Sequence, residues 1–179
     1  MLRQFYYLRV IMFVFDCIRV LSKKGATEQY FGFQLATSFA SEAFAGIQAA
    51  LDPNNSRHPS IAEDAAADSG SDTDAAVSPR LISWVDINCG CPTIELSRRG
   101  LGATMLQNPP KLQKFVHMLS ENLIRTGPAS IGGLADMPLT VKIRTGINDE
   151  TVNCDEVVQR LIDAGVSAVT IHGRTKDQV

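Results

Sequence analysis

The residues best suited to chemistry form one short stretch of the chain, Asp86-Ile87-Asn88-Cys89-Gly90-Cys91-Pro92. It follows an apolar run at 81–85, which is typical of a buried strand, and precedes a polar, glycine-containing segment at 93–102. An amide and a thiol directly after a strand lie at its carboxyl end, where α/β proteins usually carry out their chemistry. The stretch therefore predicts a functional site at the end of this strand.

The two cysteines of this stretch have different expected roles. A metal site would need two further ligands at suitable spacing, but Cys17 and Cys154 are remote and His172 stands alone, so no metal site is predicted. Cys89 lies within the strand and is expected to be a packed core thiol. Cys91 lies beyond the strand, between a glycine and a proline, and is the candidate reactive group. A loop thiol with no role is the alternative for Cys91.

Other candidate residues lie at the ends of further predicted strands. Lys142 interrupts an apolar run, and a buried ammonium must meet an anion or a polar ligand. A side chain that extends from the strand end to solvent is the alternative for Lys142. His172 ends another apolar run and is either a site residue or a satisfied core histidine, and Gln34 lies near the end of a third. Arg144 ends the same run as Lys142, and a side chain that faces solvent or pairs locally is the alternative for it.

The apolar patterns that position these residues alternate between strands and helices. Strands are predicted at 30–36, 81–88, 138–144 and 167–172, and helices at 40–51, 110–124 and 152–164. This alternation indicates parallel βα units, whose strands carry their carboxyl ends to the same edge of a sheet. The expected architecture is α/β, a partial (β/α)8 TIM barrel, with a doubly wound sheet as the alternative.

Two regions do not fit this alternation. Residues 52–80 are acidic and contain few large aliphatic side chains, so we expect a disordered insertion. Residues 1–25 contain an apolar run at 8–21 that is too short and too charged to cross a membrane. We expect this segment to be a strand or helix of the domain, with a targeting segment as the alternative. The expected division is therefore 1–25 and a catalytic domain at 26–179.

The composition constrains the class of protein. The chain has 179 residues, 45% of them hydrophobic, and a net charge of −2, which is ordinary for one globular domain. The chain does not carry the overall basic charge that would indicate nucleic-acid binding. Any RNA contact must therefore come from local patches. Four cysteines in such a chain do not indicate a disulfide framework, and without a clear signal the cytoplasm is the default location.

Five motifs in this order, FGFQLA, VDINCGCP, GLGATMLQNPPKL, LTVKIRTG and VTIHGRT, resemble the tRNA-dihydrouridine synthases. These are flavin enzymes built on a TIM barrel. The resemblance spans about 29–178, apart from the insertion at 52–80 and a second expected insertion at 126–136. It implies that NADPH, acting through FMN, reduces a uridine of a tRNA substrate to 5,6-dihydrouridine.

The resemblance also implies roles for individual residues. Cys91 matches the general acid, a role that requires a protonated thiol. Arg98 and Arg99 lie in a region that is often basic in the family and either approach the RNA backbone or form a solvated surface. By the same similarity Gln34, Lys142 and His172 hold the flavin, Asn88 contacts the substrate, and Arg174 contacts the substrate or a phosphate.

The chain departs from the family in length. A TIM barrel needs about 200 residues or more, and about 150 remain without the insertion at 52–80. The family's first strand, its later phosphate-binding loops and its C-terminal helical domain have no match. We therefore expect a chain that is incomplete at both ends of the barrel and has little activity alone. The alternatives are an FMN barrel of the dihydroorotate or dihydropyrimidine dehydrogenase type, and a non-catalytic RNA-binding remnant; HGRT and GLGATML favour the tRNA enzyme.

Overall fold

The computed structural model describes residues 9–14, 31–51, 82–126 and 137–178. In these residues, strands alternate with helices along the chain. The elements are β1 Arg9–Val14, β2 Phe31–Ala36, α1 Ala40–Leu51, β3 Trp84–Cys89, α2 Ile94–Arg98, α3 Pro109–Thr126, β4 Leu139–Arg144, α4 Cys154–Asp163 and β5 Ala168–His172, with 3₁₀ helices at Gly102–Gln107 and Asp149–Thr151.

The strands form one five-stranded sheet in the order β1-β2-β3-β4-β5. Each neighbouring pair is parallel. A doubly wound sheet reverses its strand order at a switch point, whereas the strands of a barrel follow one another in chain order. The order observed here confirms the partial (β/α)8 architecture and rules against the doubly wound alternative.

The two faces of this sheet have opposite chemistry, because successive side chains of a strand point to opposite sides. One face, called the apolar face below, packs against helices α1, α3 and α4 in a single core. Its buried residues are Phe33, Leu35, Val85, Ile87, Cys89, Leu139, Val141 and Ile143. The opposite face, called the site face, carries Gln34, Asp86, Asn88, Thr140, Lys142 and Arg144.

The helices bury residues at the spacing of an amphipathic helix. On α3 the buried residues recur every three or four positions, namely Leu112, Phe115, Val116, Leu119 and Leu123. Helix α4 begins two residues later than the pattern predicts. The reason is that the main-chain N–H groups of Asn153 and Cys154 both donate to the Thr145 carbonyl, at 3.0 and 3.1 Å, which ties the preceding segment to the end of β4. Gly165, at φ +91°, ends α4 as expected.

The remaining predictions have mixed outcomes. Strand β3 begins at Trp84 rather than at 81, because its pairing with β2 begins there, between Trp84 and Gly32. The expected insertion at 52–80 lies outside the described residues, and so does the one at 126–136, apart from Thr126, which ends α3. Within 1–25, residues Arg9–Val14 form a strand of the sheet, in line with the strand interpretation. Among the described residues, no helix is long and apolar enough to span a membrane.

Candidate active site at the carboxyl edge of the sheet

The segment after β3 is folded into a tight loop by the side chain of Asn88. Its Oδ1 accepts hydrogen bonds from the main-chain N–H of Gly90, at 3.1 Å, and of Cys91, at 2.9 Å. The Cys91 carbonyl accepts the N–H of Ala103 at 3.0 Å, which connects the loop to the following 3₁₀ helix. These bonds fix the main chain of Cys91, while its half-buried thiol lies 3.4 Å from Oγ1 of Thr93.

The glycine-rich segment after this loop supports it from behind. Gly102 has φ +61°, a conformation that side chains strongly disfavour. A Cβ on Gly102 would lie 2.6 Å from the carbonyl oxygen of Cys91. The second glycine of GLGATML is therefore required by close contact with the Cys91 loop as well as by the backbone angle.

A network of hydrogen-bonded polar side chains connects three neighbouring strands next to the loop. Thr140 donates to Oδ1 of Asp86 at 2.6 Å, and Nε2 of Gln34 donates to Oδ2 of Asp86 at 2.5 Å. Nδ2 of Asn88 in turn donates to Oε1 of Gln34 at 3.0 Å. Because Asn88 also holds the loop, this network connects the interior of the sheet to Cys91. The sequence analysis did not assign Asp86, although a carboxylate inside the apolar run VDIN was the available signal.

Arg144 lies at the strand-end edge and does not follow the alternative, in which it faces solvent or pairs locally. The side chain is only 7% exposed. Its Nε donates to the Gly90 carbonyl at 2.7 Å, and its Nη1 donates to the Thr175 carbonyl, also at 2.7 Å. Arg144 at the end of β4 therefore joins the loop after β3 to the loop after β5. Long-range contacts of this kind leave no local sequence pattern.

Lys142 and His172 lie at the same edge with side chains that are only half buried. Within the described part of the chain, the Lys142 ammonium makes no hydrogen bond or ion pair. Lys142 pairs in register with Asn88, and His172 pairs in register with Arg144. Partial burial, followed by the positive charges of Arg144, Lys142 and Arg174, lowers the pKa of His172. The imidazole is therefore neutral at neutral pH.

Cys89 has the structural role that the sequence predicts. Its side chain is fully buried on the apolar face, and its Sγ lies 3.8 Å from the sulfur of Met105. Burial, together with the nearby negative charge of Asp86, strongly raises the pKa of the Cys89 thiol. The two cysteines of the loop thus differ in kind, because Cys89 is a core residue and Cys91 reaches the site.

Three arginines lie around this edge on the outer surface. Arg98 ends α2 and Arg99 follows it, and both are exposed. Arg174 is exposed in the loop after β5, and its carbonyl accepts the N–H of Thr145 at 3.2 Å, so the loops after β4 and β5 are joined by main-chain contact as well. The edge therefore has cationic side chains on the site face, Lys142 and Arg144, and around its exposed rim, which Arg98, Arg99 and Arg174 define.

Comparison with known proteins shows the family of the chain. The family model described as Dihydrouridine synthase (Dus) matches residues 71–179, which is more than half of the chain. The chain belongs to the dihydrouridine synthase family. The match contains the candidate residues of β3, β4 and β5, whereas Gln34 in FGFQLA lies outside it, so the resemblance at Gln34 depends on the motif alone.

Named relatives agree with this membership. The chain is 37% identical over 109 residues to the tRNA-dihydrouridine(47) synthase of Emericella nidulans, whose name gives NAD(P)(+) as its coenzyme. It is 37% identical over 92 residues to tRNA-dihydrouridine synthase B of Serratia marcescens, and 36% identical over 92 residues to that of Escherichia coli. These matches cover about half of this chain, but only 13% of the first relative and 24–25% of the other two.

The structure brings most of the predicted family site together. Gln34 and Asn88 are in direct contact, Lys142 is the register partner of Asn88, and Cys91 follows in the loop that Asn88 holds. His172 and Arg174 come to the same edge through β5. Asp86 and Arg144 are the members of this arrangement to which the sequence analysis gave no role in the site, although it expected Arg144 at this edge.

Proposed function

We propose that this site reduces a uridine of tRNA to 5,6-dihydrouridine with FMN and NADPH, and that Cys91 supplies the proton. The observation that carries the proposal is the placement of the half-buried Cys91 thiol at the same sheet edge as the Lys142 ammonium, which has no protein partner among the described residues. Family membership and the printed names of the relatives support the substrate and the coenzyme.

The residues at the edge fit a flavin. Bound FMN would supply a hydride to C6 of the uracil ring. Lys142 offers a half-buried ammonium without a protein partner in the described part of the chain, which suits the electron-rich pyrimidine edge of a flavin. His172 offers a neutral imidazole that can donate or accept a hydrogen bond. Gln34 already uses its amide on Asp86 and Asn88, so its contact with the flavin would come from its second N–H.

Cys91 is placed to act as the general acid. The S–H bond breaks as its proton passes to C5 of the uracil, and the electron pair of that bond stays on sulfur as a thiolate. The main chain of Cys91 is fixed by Asn88 and Ala103, so the thiol is presented from a defined position. Oδ1 of Asn88 holds the loop and its NH2 group donates to Gln34, so the proposed contact of Asn88 with uracil would have to share the amide with these partners.

The proposed substrate is a base within a folded RNA. A uridine in tRNA must be unstacked and turned into the pocket before the edge of the sheet can reach it. The exposed cations Arg98, Arg99 and Arg174 at the rim are suited to phosphate contacts on either side of such a base. The rim arginines thus supply the local basic patch that the overall charge of the chain does not.

The test compares Cys91→Ala with the matched variant Cys89→Ala, two residues earlier at the end of β3, both made in the full-length protein. We expect Cys91→Ala to lower dihydrouridine formation in tRNA by about 10²–10⁴-fold, with tRNA binding and FMN binding retained. We expect Cys89→Ala to keep activity and to lower the stability of the fold. Dihydrouridine is measured by mass spectrometry of digested tRNA, and FMN by fluorescence titration.

The outcomes separate the proposed reaction from its alternatives. Unchanged dihydrouridine formation by Cys91→Ala would remove the acid role. Reduction of free pyrimidine bases such as uracil, or oxidation of dihydroorotate, without action on tRNA would instead place the site with the dihydropyrimidine and dihydroorotate dehydrogenases. Binding of tRNA without flavin binding or turnover would indicate an RNA-binding protein.

A further inference from the structure

Thr93 occupies the position at which a threonine usually caps a helix, but it does not cap one here. It directly precedes α2, where a hydroxyl normally accepts an N–H of the first helical turn. Its side chain makes no such hydrogen bond. Instead Oγ1 lies 3.4 Å from Sγ of Cys91. The hydroxyl therefore faces the thiol rather than the helix, against the local preference of the residue.

The surroundings of the Cys91 thiol make this contact distinctive. On one side the thiol packs against the apolar residues Ala36, Leu96 and Leu101. These side chains offer no hydrogen bond to sulfur. Within the described residues, the Thr93 hydroxyl is the polar side chain that lies within hydrogen-bonding distance of Sγ. A negative charge on this sulfur would therefore depend on Thr93 and on solvent for its stabilisation.

We propose that Thr93 is the positioning residue of the acid, and that its hydroxyl stabilises the thiolate formed when Cys91 gives up its proton. This role rests on the proposed function of Cys91. Before transfer, either group can be the donor of the Sγ···Oγ1 hydrogen bond. After transfer, the S–H bond is broken and sulfur carries its electron pair, so the Thr93 O–H turns to donate to the thiolate. Water then returns a proton to sulfur, since Thr93 is exposed and Cys91 is half exposed.

The test uses Thr93→Val, which keeps the shape of the side chain and removes the hydroxyl, with Thr93→Ser as the variant that restores it. The rate of Cys91 alkylation by iodoacetamide is followed against pH, with the labelled cysteine identified by tandem mass spectrometry. We expect Thr93→Val to raise the pH midpoint of Cys91 alkylation by about 0.5–1 pH unit, because the thiolate loses one hydrogen bond. We expect Thr93→Ser to restore the original midpoint.

Two cysteines provide controls within the same sample. Cys89 lies in the same peptide but is fully buried, so it should stay unlabelled while the protein is folded. Cys154 is half buried and remote from Thr93, so its alkylation profile should be the same in all variants. Because Thr93 is exposed, the variants are expected to fold, which circular dichroism checks.

Turnover provides a second readout and separates the two proposals. Thr93→Val should lower kcat by about three- to tenfold with little change in KM for tRNA, since the hydroxyl acts on the acid after substrate is bound. An unchanged alkylation midpoint in Thr93→Val, or an equal shift in Thr93→Ser, would overturn the role of Thr93 even if the enzyme makes dihydrouridine. A shifted midpoint in a protein that makes none would support the contact and sink the proposed reaction.

Discussion

The two faces of the sheet use the same backbone for different purposes. The apolar face is closed, with strand residues such as Ile143 fully buried beneath the helices. The site face contains amides, a carboxylate, a lysine and an arginine, and part of that face is accessible. Neighbouring residues of one strand, Lys142 and Ile143, therefore belong to different environments, the candidate site and the core. The alternation of a strand allows a site to be built without interrupting the core.

The sharpest test of this division is the pair Ile143→Ala and Lys142→Met. We expect Ile143→Ala to lower the free energy of unfolding by about 2–5 kcal/mol, because a large side chain is removed from a fully packed position. We expect Lys142→Met to change it by less than about 0.5 kcal/mol, and to weaken FMN binding instead. Urea unfolding and FMN titration measure the two effects. A large loss of stability in Lys142→Met would show that the faces are not separate.

Arg144 is the point at which the division is expected to fail, because it is a buried residue of the site face. Arg144→Met would leave the carbonyls of Gly90 and Thr175 without their donor. We expect a loss of about 2–4 kcal/mol in unfolding free energy, and faster hydrogen exchange in the loops after β3 and β5.

Arg144→Lys is the matched variant, since it keeps the charge but not the two-directional donor geometry. We expect it to recover only part of the lost stability. Equal exchange rates in the wild type and Arg144→Met would show that the loops are held by other contacts.

Two glycines allow the support of the Cys91 loop to be measured. Gly100 and Gly102 both have positive φ, at +70° and +61°, but only Gly102 is close to another group, the carbonyl of Cys91. We expect Gly100→Ala to cost about 1–2 kcal/mol from backbone strain. Gly102→Ala should cost about 1–3 kcal/mol more from the close contact. Urea denaturation compares the two, and equal costs would mean that the loop adapts freely.

The smallest expected effect concerns His172 on the site face. Its pKa in the folded chain lies below the ordinary value of 6.5, so the unfolded chain takes up this proton first as the pH falls. The contribution of His172 to the free energy of unfolding is therefore constant at pH values above the ordinary pKa of 6.5 and decreases as the pH falls below it.

The titration of His172 can be followed by NMR of its imidazole. We expect a pKa below 6.5 and an upward shift in Arg174→Met, because one of the positive charges near the imidazole is removed. A titration that is the same in both proteins would show that Arg174 does not act on His172.

Much of the fold was predictable from local patterns. The spacing of apolar residues gave α1 at its observed bounds and β4 and β5 to within a residue, and the motif order indicated the family. The placement of Cys89 in the core was also predictable, since it lies inside an apolar strand. These features depend on residues close together in the chain, and their periodicity is visible in the sequence.

The connections within the site were not predictable in this way. The contacts of Gln34 with Asp86, and of Arg144 with Gly90, join residues that are 52 and 54 positions apart. Crossover helices bring these residues together, and no spacing rule indicates which side chains then meet. For the same reason the sequence placed Asn88 at the substrate but did not show that its oxygen holds the Cys91 loop.

The sequence by itself determined the alternation of strands and helices and the family, and it singled out Cys91 as the candidate thiol, because each depends on local residue types and their order. Only the tertiary structure decided how that thiol is held: Asn88 and Gly102 fix its loop, Arg144 ties the loop to its neighbours, and the Thr93 hydroxyl lies close to the sulfur. Thr93 is a helix-capping residue by local preference, but in the fold its hydroxyl makes no cap hydrogen bond and lies against Cys91 instead.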